Sequence, residues 1–168
     1  KFEGSTSIAE WKLAAEAPAP ASGTFTPEVA EQHQAAWAKH LGKEVEVTNS
    51  IGMKFRLIPP GEFTMGSTPE EIAEALNNVG DEKLWQECIK SGAPQHKVIL
   101  TQPAYLGVNE VTQAEYEKVM GVNPSNFTSA GTEKELVAGT DSTNRPVETI
   151  SWDNTAEFCA KLSQREGF

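Results

Sequence analysis

The longest periodic pattern of apolar residues in the chain lies between residues 26 and 42. Thr26 is a favourable N-cap, Pro27 suits the first helical position and Gly42 is a typical helix stop, so these residues predict one helix. Its apolar positions recur every fourth residue and form a single stripe: Val29, His33, Trp37 and Leu41. The stripe favours packing against the domain that follows, and a surface for a partner protein is the alternative.

Residues 1–25 are predicted to be a linker or a loosely attached arm. Residues 8–17 are compatible with a short helix around Trp11 and Leu13. The alternating Ala and Pro residues at 17–21 favour extended chain, because proline has a fixed φ and no backbone N–H. The next segment, residues 26–48, is predicted to contain the N-terminal helix and a first strand.

Beyond residue 43 the apolar period shortens and strands are predicted. Residues 44–48 alternate as a strand does, and residues 49–52 have the composition of a turn. Residues 54–58 and 62–65 predict the two strands of a hairpin, connected by residues 59–61. Further strands are predicted over residues 97–101 and 104–108.

Four more helices are predicted, two of them from capping boxes, in which a side chain at each end of the first turn bonds the other's backbone amide. Thr68 and Glu71 start one whose apolar face is Ile72, Leu76 and Val79, and Thr112 and Glu115 start one carrying Tyr116, Val119 and Met120. Ser151 begins the last helix, with an expected apolar face of Trp152, Ala156, Cys159 and Leu162. A short helix over residues 83–90 is expected to turn inward Leu84, Trp85, Cys88 and Ile89. Residues 123–144 are polar and predict a long surface loop.

Composition adds a constraint on partners. The chain has 168 residues, 38% of them hydrophobic, which suits one globular domain with an appendage. Its formal net charge of -10, with no run of Lys or Arg, argues against nucleic acid and anionic membranes as partners. No stretch approaches the ~20 apolar residues of a membrane helix. The compartment stays open.

The two cysteines, Cys88 and Cys159, lie far apart in the sequence and belong to no metal-binding pattern. Two buried free thiols are expected. A disulfide between them is the alternative.

Four segments in register resemble the sulfatase-modifying-factor domain of the formylglycine-generating enzyme family. Any one of them is a weak signal, but together they span about 120 residues. They are G-M-K-F with I-P-P-G-E-F-T-M-G-S at residues 52–55 and 58–67, P-Q-H-K-V-I-L at 94–100, N-E-V-T-Q-A-E-Y at 109–116, and the Pro, Val, Ser, Trp, Ala, Phe and Cys positions within 146–159.

The resemblance implies an α+β, C-type-lectin-like fold with little regular secondary structure, incomplete at the C-terminus and preceded by an N-terminal helical extension. Residues 49–168 would then be the N-terminal half of such a domain. The calcium-binding loops and the paired cysteines that hold copper would lie in the missing half, so the resemblance assigns no catalytic, cofactor-binding or metal-binding residue to this chain. Cys159 corresponds to a position that, in some members, bonds to a cysteine of that half.

Residues whose side chains could bind a metal or act in catalysis are expected to have structural roles instead. His96 is expected to be buried and bonded to nearby backbone rather than bound to a metal, and Glu110 to favour the N-terminal end of a helix dipole. Trp152 and Tyr116 are expected in the core. Residues 141–144 lack the spacing of a calcium loop and predict a turn. Asn126 stands in a formal glycosylation sequon, which carries information only for a protein secreted by a eukaryote.

Three functions follow. The first is the N-terminal part of a formylglycine-generating-enzyme-like domain, without the catalytic cysteine pair, inactive as given and completed by the missing half or another chain. The second is a non-catalytic binding or structural module of the same fold, for a protein or peptide ligand. The third is a fragment of an iron-dependent sulfoxide synthase of the ergothioneine type, although the first 48 residues are too short for that group's helical domain. A late cysteine pair downstream would favour the first.

Overall fold

The computed structural model describes residues 17–80 and 82–167, which form a mixed helix-and-sheet structure with small sheets. Most of the short helix predicted over residues 8–17 lies outside these residues. The chain divides into two compact units. Unit 1 comprises the chain up to residue 45 with residues 57–104, and unit 2 comprises residues 46–56 with residues 105–168.

Unit 1 contains a three-stranded sheet in the order β1-β4-β5. Strand β1 (Ala21–Ser22) runs parallel to β4 (Gly61–Met65), and β5 (His96–Leu100) runs antiparallel to β4 on its other side. Residues 21–22 thus pair in the sheet through the extended conformation that the preceding prolines favour.

The predicted N-terminal helix is confirmed as α1 (Pro27–Leu41), with Thr26 at the N-cap position and Gly42 in the left-handed conformation at its end. Trp37 is the buried residue of its stripe, and its indole Nε1 donates a hydrogen bond to the carbonyl of Ala19 at 3.3 Å. This bond attaches the start of the described chain to α1.

Helices α2 (Pro69–Val79) and α3 (Lys83–Ser91) follow β4 and contact each other. The predicted capping box of α2 is present, since the Thr68 hydroxyl accepts from Glu71 N and the Glu71 carboxylate accepts from Thr68 N. The inward face predicted for α3 is wrong at three of its four residues, and only Ile89 is half-buried. Leu84 is 71% and Trp85 57% exposed, and Cys88 is also exposed. An amphipathic pattern defines a stripe, but only the surrounding fold determines whether anything covers it.

The predicted hairpin of residues 54–58 and 62–65 is also wrong. Both strands exist, as β3 (Lys54–Ile58) and β4, but β3 belongs to a different sheet, in the order β2-β3-β6. That sheet pairs β2 (Glu46–Thr48) antiparallel to β3, and β6 (Ala104–Gly107) lies on its other side. Pro59 and Pro60 between β3 and β4 explain the separation, because proline cannot adopt the positive φ of a tight hairpin turn.

The core of unit 2 is built on two stacked rings. Tyr116 and Phe158 lie parallel with ring centroids 5.4 Å apart, and both are buried together with Ile51 and Met53. Tyr116 belongs to α4 (Gln113–Met120) and Phe158 to α5 (Trp152–Glu166), so the stack joins the two helices. Capping boxes begin both helices, Thr112 with Glu115 as predicted and Ser151 with Asn154.

Polar contacts attach the turn at residues 49–52 to this core. Asn49 Oδ1 accepts hydrogen bonds from the amides of Ile51 at 3.1 Å and Met53 at 2.9 Å, which confirms the predicted turn. The Glu166 carboxylate at the end of α5 accepts from the amide and hydroxyl of Ser50. The last turn of α5 is therefore held to a residue more than a hundred positions earlier.

The predicted loop over residues 123–144 contains one short 3-10 helix, Lys134–Val137. Most of the loop is exposed, but Ser125 and Val137 are buried. These two residues fix the loop to the body of unit 2.

Replacing Phe158 with Ala is expected to destabilise the protein by about 3–5 kcal/mol, because it removes a buried ring from the core. Trp152→Ala on the same helix is the matched control. Trp152 is 81% exposed whereas Phe158 is 4% exposed, so the control should change the free energy of unfolding by no more than about 0.5 kcal/mol. Urea denaturation followed by circular dichroism measures both, and equal losses would contradict the assignment of core and surface.

Replacing Gly61 with Ala is expected to destabilise unit 1 by about 1–3 kcal/mol. Gly61 pairs with Ala21 across β1 and β4, and a Cβ atom there would collide with the Ala21 carbonyl oxygen. Thermal unfolding of Gly61→Ala beside Thr64→Ala, an exposed residue of the same strand, measures the effect. An unchanged Gly61→Ala would show that β1 does not pair there.

Candidate functional site

The cysteines are both free and exposed, so the prediction of free thiols holds and that of burial is wrong. Cys88 belongs to unit 1 and Cys159 to unit 2. Cys159 lies outside the core because α5 turns the side that carries Phe158 inward instead.

His96 is exposed, which corrects the prediction that it is buried. Its Nδ1 atom lies 2.9 Å from the carbonyl oxygen of Pro94, so the expected bond to nearby backbone is present. It begins β5, an outer strand of its sheet, opposite the exposed Met65. Glu110 is exposed too. In the described part of the chain, no group of three or more His, Cys, Asp or Glu residues could hold a metal ion.

Residues 141–144 form the predicted turn. Asp141 Oδ1 accepts from the amide of Thr143 at 2.9 Å and from its hydroxyl at 2.8 Å. The Thr143 amide and then its hydroxyl lower the pKa of Asp141 below its ordinary value of 3.8. One of the two carboxylate oxygens of Asp141 is therefore used within the turn.

Gln113, Asn123, Ser125, Phe127 and Glu148 form a closed ring of hydrogen bonds in unit 2. Asn123 Nδ2 donates to Gln113 Oε1 at 3.1 Å, and Gln113 Nε2 donates to the Phe127 carbonyl at 3.3 Å. The Phe127 amide donates to Glu148 Oε1 at 3.0 Å, and the Glu148 amide donates to Ser125 Oγ at 3.3 Å. The Ser125 amide closes the ring on Asn123 Oδ1 at 3.1 Å.

This polar ring orders its members because two of them are almost entirely inaccessible. Gln113 is 1% and Ser125 3% exposed. A buried polar group left without a partner costs about 1–3 kcal/mol, so each bond of the ring favours this one arrangement.

The carboxylate of Glu148 is held in its charged form. Its burial alone would raise its pKa, but the Thr149 hydroxyl, the Phe127 and Asn126 amides and Ser125 outweigh that effect and lower the pKa below 4.5. The Thr149 hydroxyl donates to Oε2 at 2.6 Å. Thr149 adopts a φ of 62°, a left-handed conformation that costs a non-glycine residue roughly 1–2 kcal/mol.

A pocket of about 330 Å³ opens beside the polar ring and is lined by Gln113, Phe127, Arg145, Pro146 and Glu148. Arg145 Nη2 makes one long hydrogen bond, to Thr140 Oγ1 at 3.4 Å. Among the residues that the structure describes, no carboxylate lies within 4.0 Å of the Arg145 guanidinium. The pocket therefore has a positive and a negative group in its wall that do not pair with each other.

The sequence does not predict this pocket. Residues 123–144 have the pattern of a surface loop, and no functional role is predicted for Gln113, Arg145 or Glu148. The signal available was the Asn-Pro-Ser run at residues 123–125, since Asn side chains commonly bond the backbone two residues on, as Asn123 does here. Its partners Gln113 and Glu148 come from separate segments.

Helix α5 has a second surface feature, which we call the outer stripe: Trp152, Ala156, Cys159 and Ser163. These residues recur at helical spacing along one side of α5, and all are exposed. The prediction that Trp152 is a core residue is wrong, because the helix turns Phe158 toward the core. Of the predicted apolar face, Leu162 does pack against the core. The stripe is therefore an apolar surface that no described residue covers.

Unit 1 has a pocket of its own, of about 280 Å³, between α1 and the β1-β4-β5 sheet. Phe25, His33, Phe63 and Leu100 are among its lining residues. The rings of Phe25 and His33 lie 5.7 Å apart, and beside the pocket Lys97 Nζ pairs with Glu62 at 2.7 Å.

None of the described helices is long and apolar enough to cross a bilayer.

Comparison with known proteins adds two findings. Residues 43–165 match the profile of the family described as the sulfatase-modifying factor enzyme 1-like domain. The chain is also similar in structure to Treponema denticola variable protein 1, with 25% sequence identity and a TM-score of 0.50. The match covers 73% of this chain and 36% of that protein, so the chain spans little more than a third of that relative's length. No curated protein matches the chain.

Replacing Glu148 with Gln is expected to lower stability at neutral pH by about 1 kcal/mol, because the hydrogen bonds to a charged acceptor are lost. The folded-state pKa lies below 4.5, so the stabilisation is present above pH 4.5 and is lost as the pH falls through the folded-state value. Unfolding free energies of parent and variant should thus converge in acid. Glu135→Gln, in the exposed 3-10 helix, is the control, and a pH-independent difference would contradict the role of the charge.

Proposed function

The chain belongs to the family of sulfatase-modifying factor enzyme 1-like domains, and we propose that it is the amino-terminal part of a formylglycine-generating-enzyme-like domain with a C-type-lectin-like fold. In this proposal, the remaining part of the domain, or another chain, covers the outer stripe of α5. Trp152 carries the argument, because its indole is 81% exposed on a helix whose other side lies in the core. A large apolar side chain in that position is typical of a surface that another element covers.

The second part of the proposal is that these residues by themselves do not catalyse formylglycine formation. Copper-dependent oxidation in this family needs two soft thiolates at one site, because Cu(I) favours cysteine sulfur. The chain has two cysteines, Cys88 and Cys159, and neither corresponds to the family's catalytic pair. We therefore assign neither cysteine to a copper site.

The same proposal assigns no calcium site to the described residues. Hard cations need several oxygen ligands. Asp141 bonds Thr143 within its own turn, and no acidic cluster of sufficient size occurs in the described part of the chain. We assign both metals, as the family resemblance implies them, to sequence outside this chain.

A non-catalytic binding module is the second candidate function, and the same outer stripe favours it. If no further sequence completes the domain, the stripe would be a docking surface for a protein or peptide. The net charge of -10 favours a ligand without excess negative charge.

A peptide assay tests the proposal. The 168-residue chain and a version extended to the end of its reading frame are each incubated with Cu(I), oxygen and a cysteine-containing sulfatase peptide. We expect no aldehyde from the shorter chain, because neither of its cysteines corresponds to the family's catalytic pair, and aldehyde from the extended one. Peptide mass and an aldehyde-reactive probe provide the measurement.

Each other outcome has a consequence. Aldehyde formation by the shorter chain would overturn the assignment of inactivity. If neither form produces aldehyde, the oxidase function is excluded and the binding module remains as the candidate function.

A further inference from the structure

The pocket beside the polar ring has a chemical character that the family assignment does not explain. Its walls contain one guanidinium and one carboxylate, from Arg145 and Glu148, that do not pair with each other. Oppositely charged side chains in one small pocket would ordinarily form an ion pair. Here the Glu148 carboxylate instead accepts hydrogen bonds from the Phe127 amide, which belongs to the polar ring, and from the Thr149 hydroxyl.

The two charges differ in how firmly they are placed. Glu148 is fixed on both carboxylate oxygens by donors that favour its charged form. Arg145 has five N–H donors, and within the described part of the chain its side chain makes one hydrogen bond, the 3.4 Å contact to Thr140. The guanidinium is therefore free to bind a planar anionic group in bidentate fashion.

The rest of the pocket is apolar or already satisfied. Gln113 forms a rigid wall because both ends of its amide are bonded within the polar ring. Phe127 is 40% exposed and Pro146 is exposed, so both offer apolar surface to a ligand.

These features select a class of ligand. A phosphate or other multiply charged anion would be repelled by Glu148 and by the acidic chain, and a purely cationic ligand by Arg145. A compound with one carboxylate, one ammonium group and an apolar substituent is complementary to the guanidinium, the carboxylate and the apolar surface that line the pocket. A volume of about 330 Å³ is at the lower end of the range for small-molecule sites.

We propose that this pocket binds a free apolar α-amino acid. Arg145 holds its carboxylate, Glu148 attracts its ammonium group, and Phe127 with Pro146 contacts its side chain. The site is independent of formylglycine chemistry, so it stands whether or not the complete domain is an oxidase.

Calorimetric titration of the 168-residue chain with three related probes tests the proposal. L-Phenylalanine has both charged groups, 3-phenylpropionate lacks the ammonium group and 2-phenylethylamine lacks the carboxylate. We expect L-phenylalanine to bind at least about tenfold more tightly than either analogue, equivalent to roughly 1.4 kcal/mol for the weaker of its two ionic contacts.

Two variants locate the site. Arg145→Gln should weaken the binding of L-phenylalanine and of 3-phenylpropionate by about tenfold each, and should not weaken 2-phenylethylamine, whose ammonium group contacts Glu148 only. Arg145 is exposed, so this variant should fold, and its thermal unfolding is checked beside the parent. Lys134→Gln, which removes an exposed charge outside the pocket, should bind as the parent does.

Three results would overturn the proposal. They are no heat of binding with L-phenylalanine at millimolar concentration, equal binding of 3-phenylpropionate, or unchanged affinity in a folded Arg145→Gln variant.

Discussion

The stacking of Tyr116 on Phe158 is the contact on which both surfaces of unit 2 depend. Tyr116 fixes the rotation of α4, and Gln113, one turn earlier on the same helix, is thereby turned inward to meet the loop that follows. Phe158 fixes the rotation of α5, which leaves the outer stripe on an exposed side of that helix. A single aromatic pair, worth about 0.5–1.5 kcal/mol beyond the area it buries, thus decides which side chains can bind a ligand or another chain.

The polar ring provides hydrogen-bond partners for residues of the loop, as a sheet or a helix does for residues elsewhere in the chain. Residues 123–144 contain only one short 3-10 helix, so their backbone groups need other partners. Ser125 and Val137 anchor the loop by burial, and the ring joins its first residues to Glu148. The left-handed backbone at Thr149 is tolerated because its hydroxyl is fixed on the Glu148 carboxylate. Order in this region therefore comes from side chains, and that is why its pocket has defined walls.

The two candidate surfaces suit different kinds of partner. The outer stripe is apolar and lies along a helix, which suits a macromolecular surface or the remainder of the same domain. The pocket is small and contains two fixed charges, which suits a small ligand. We propose that the outer stripe meets the rest of the domain or another chain. Every wall of the pocket lies within unit 2, so the pocket does not depend on that proposal.

Features determined by neighbouring residues could be predicted from the sequence, and features determined by distant ones could not. The capping boxes at Thr68 and Thr112, the turn at Asn49 and the bounds of α1 were predicted correctly because their interactions span a few residues. The motifs also identified the family, because each is a short run of neighbouring residues and their order and spacing along the chain match those of the family. The separation of β3 from β4, the exposure of Trp152 and the polar ring were not predicted. Strand pairing, the side of a helix that faces the core and the meeting of Gln113 with Glu148 are set by contacts between segments far apart in the chain, and only the tertiary structure decides among them.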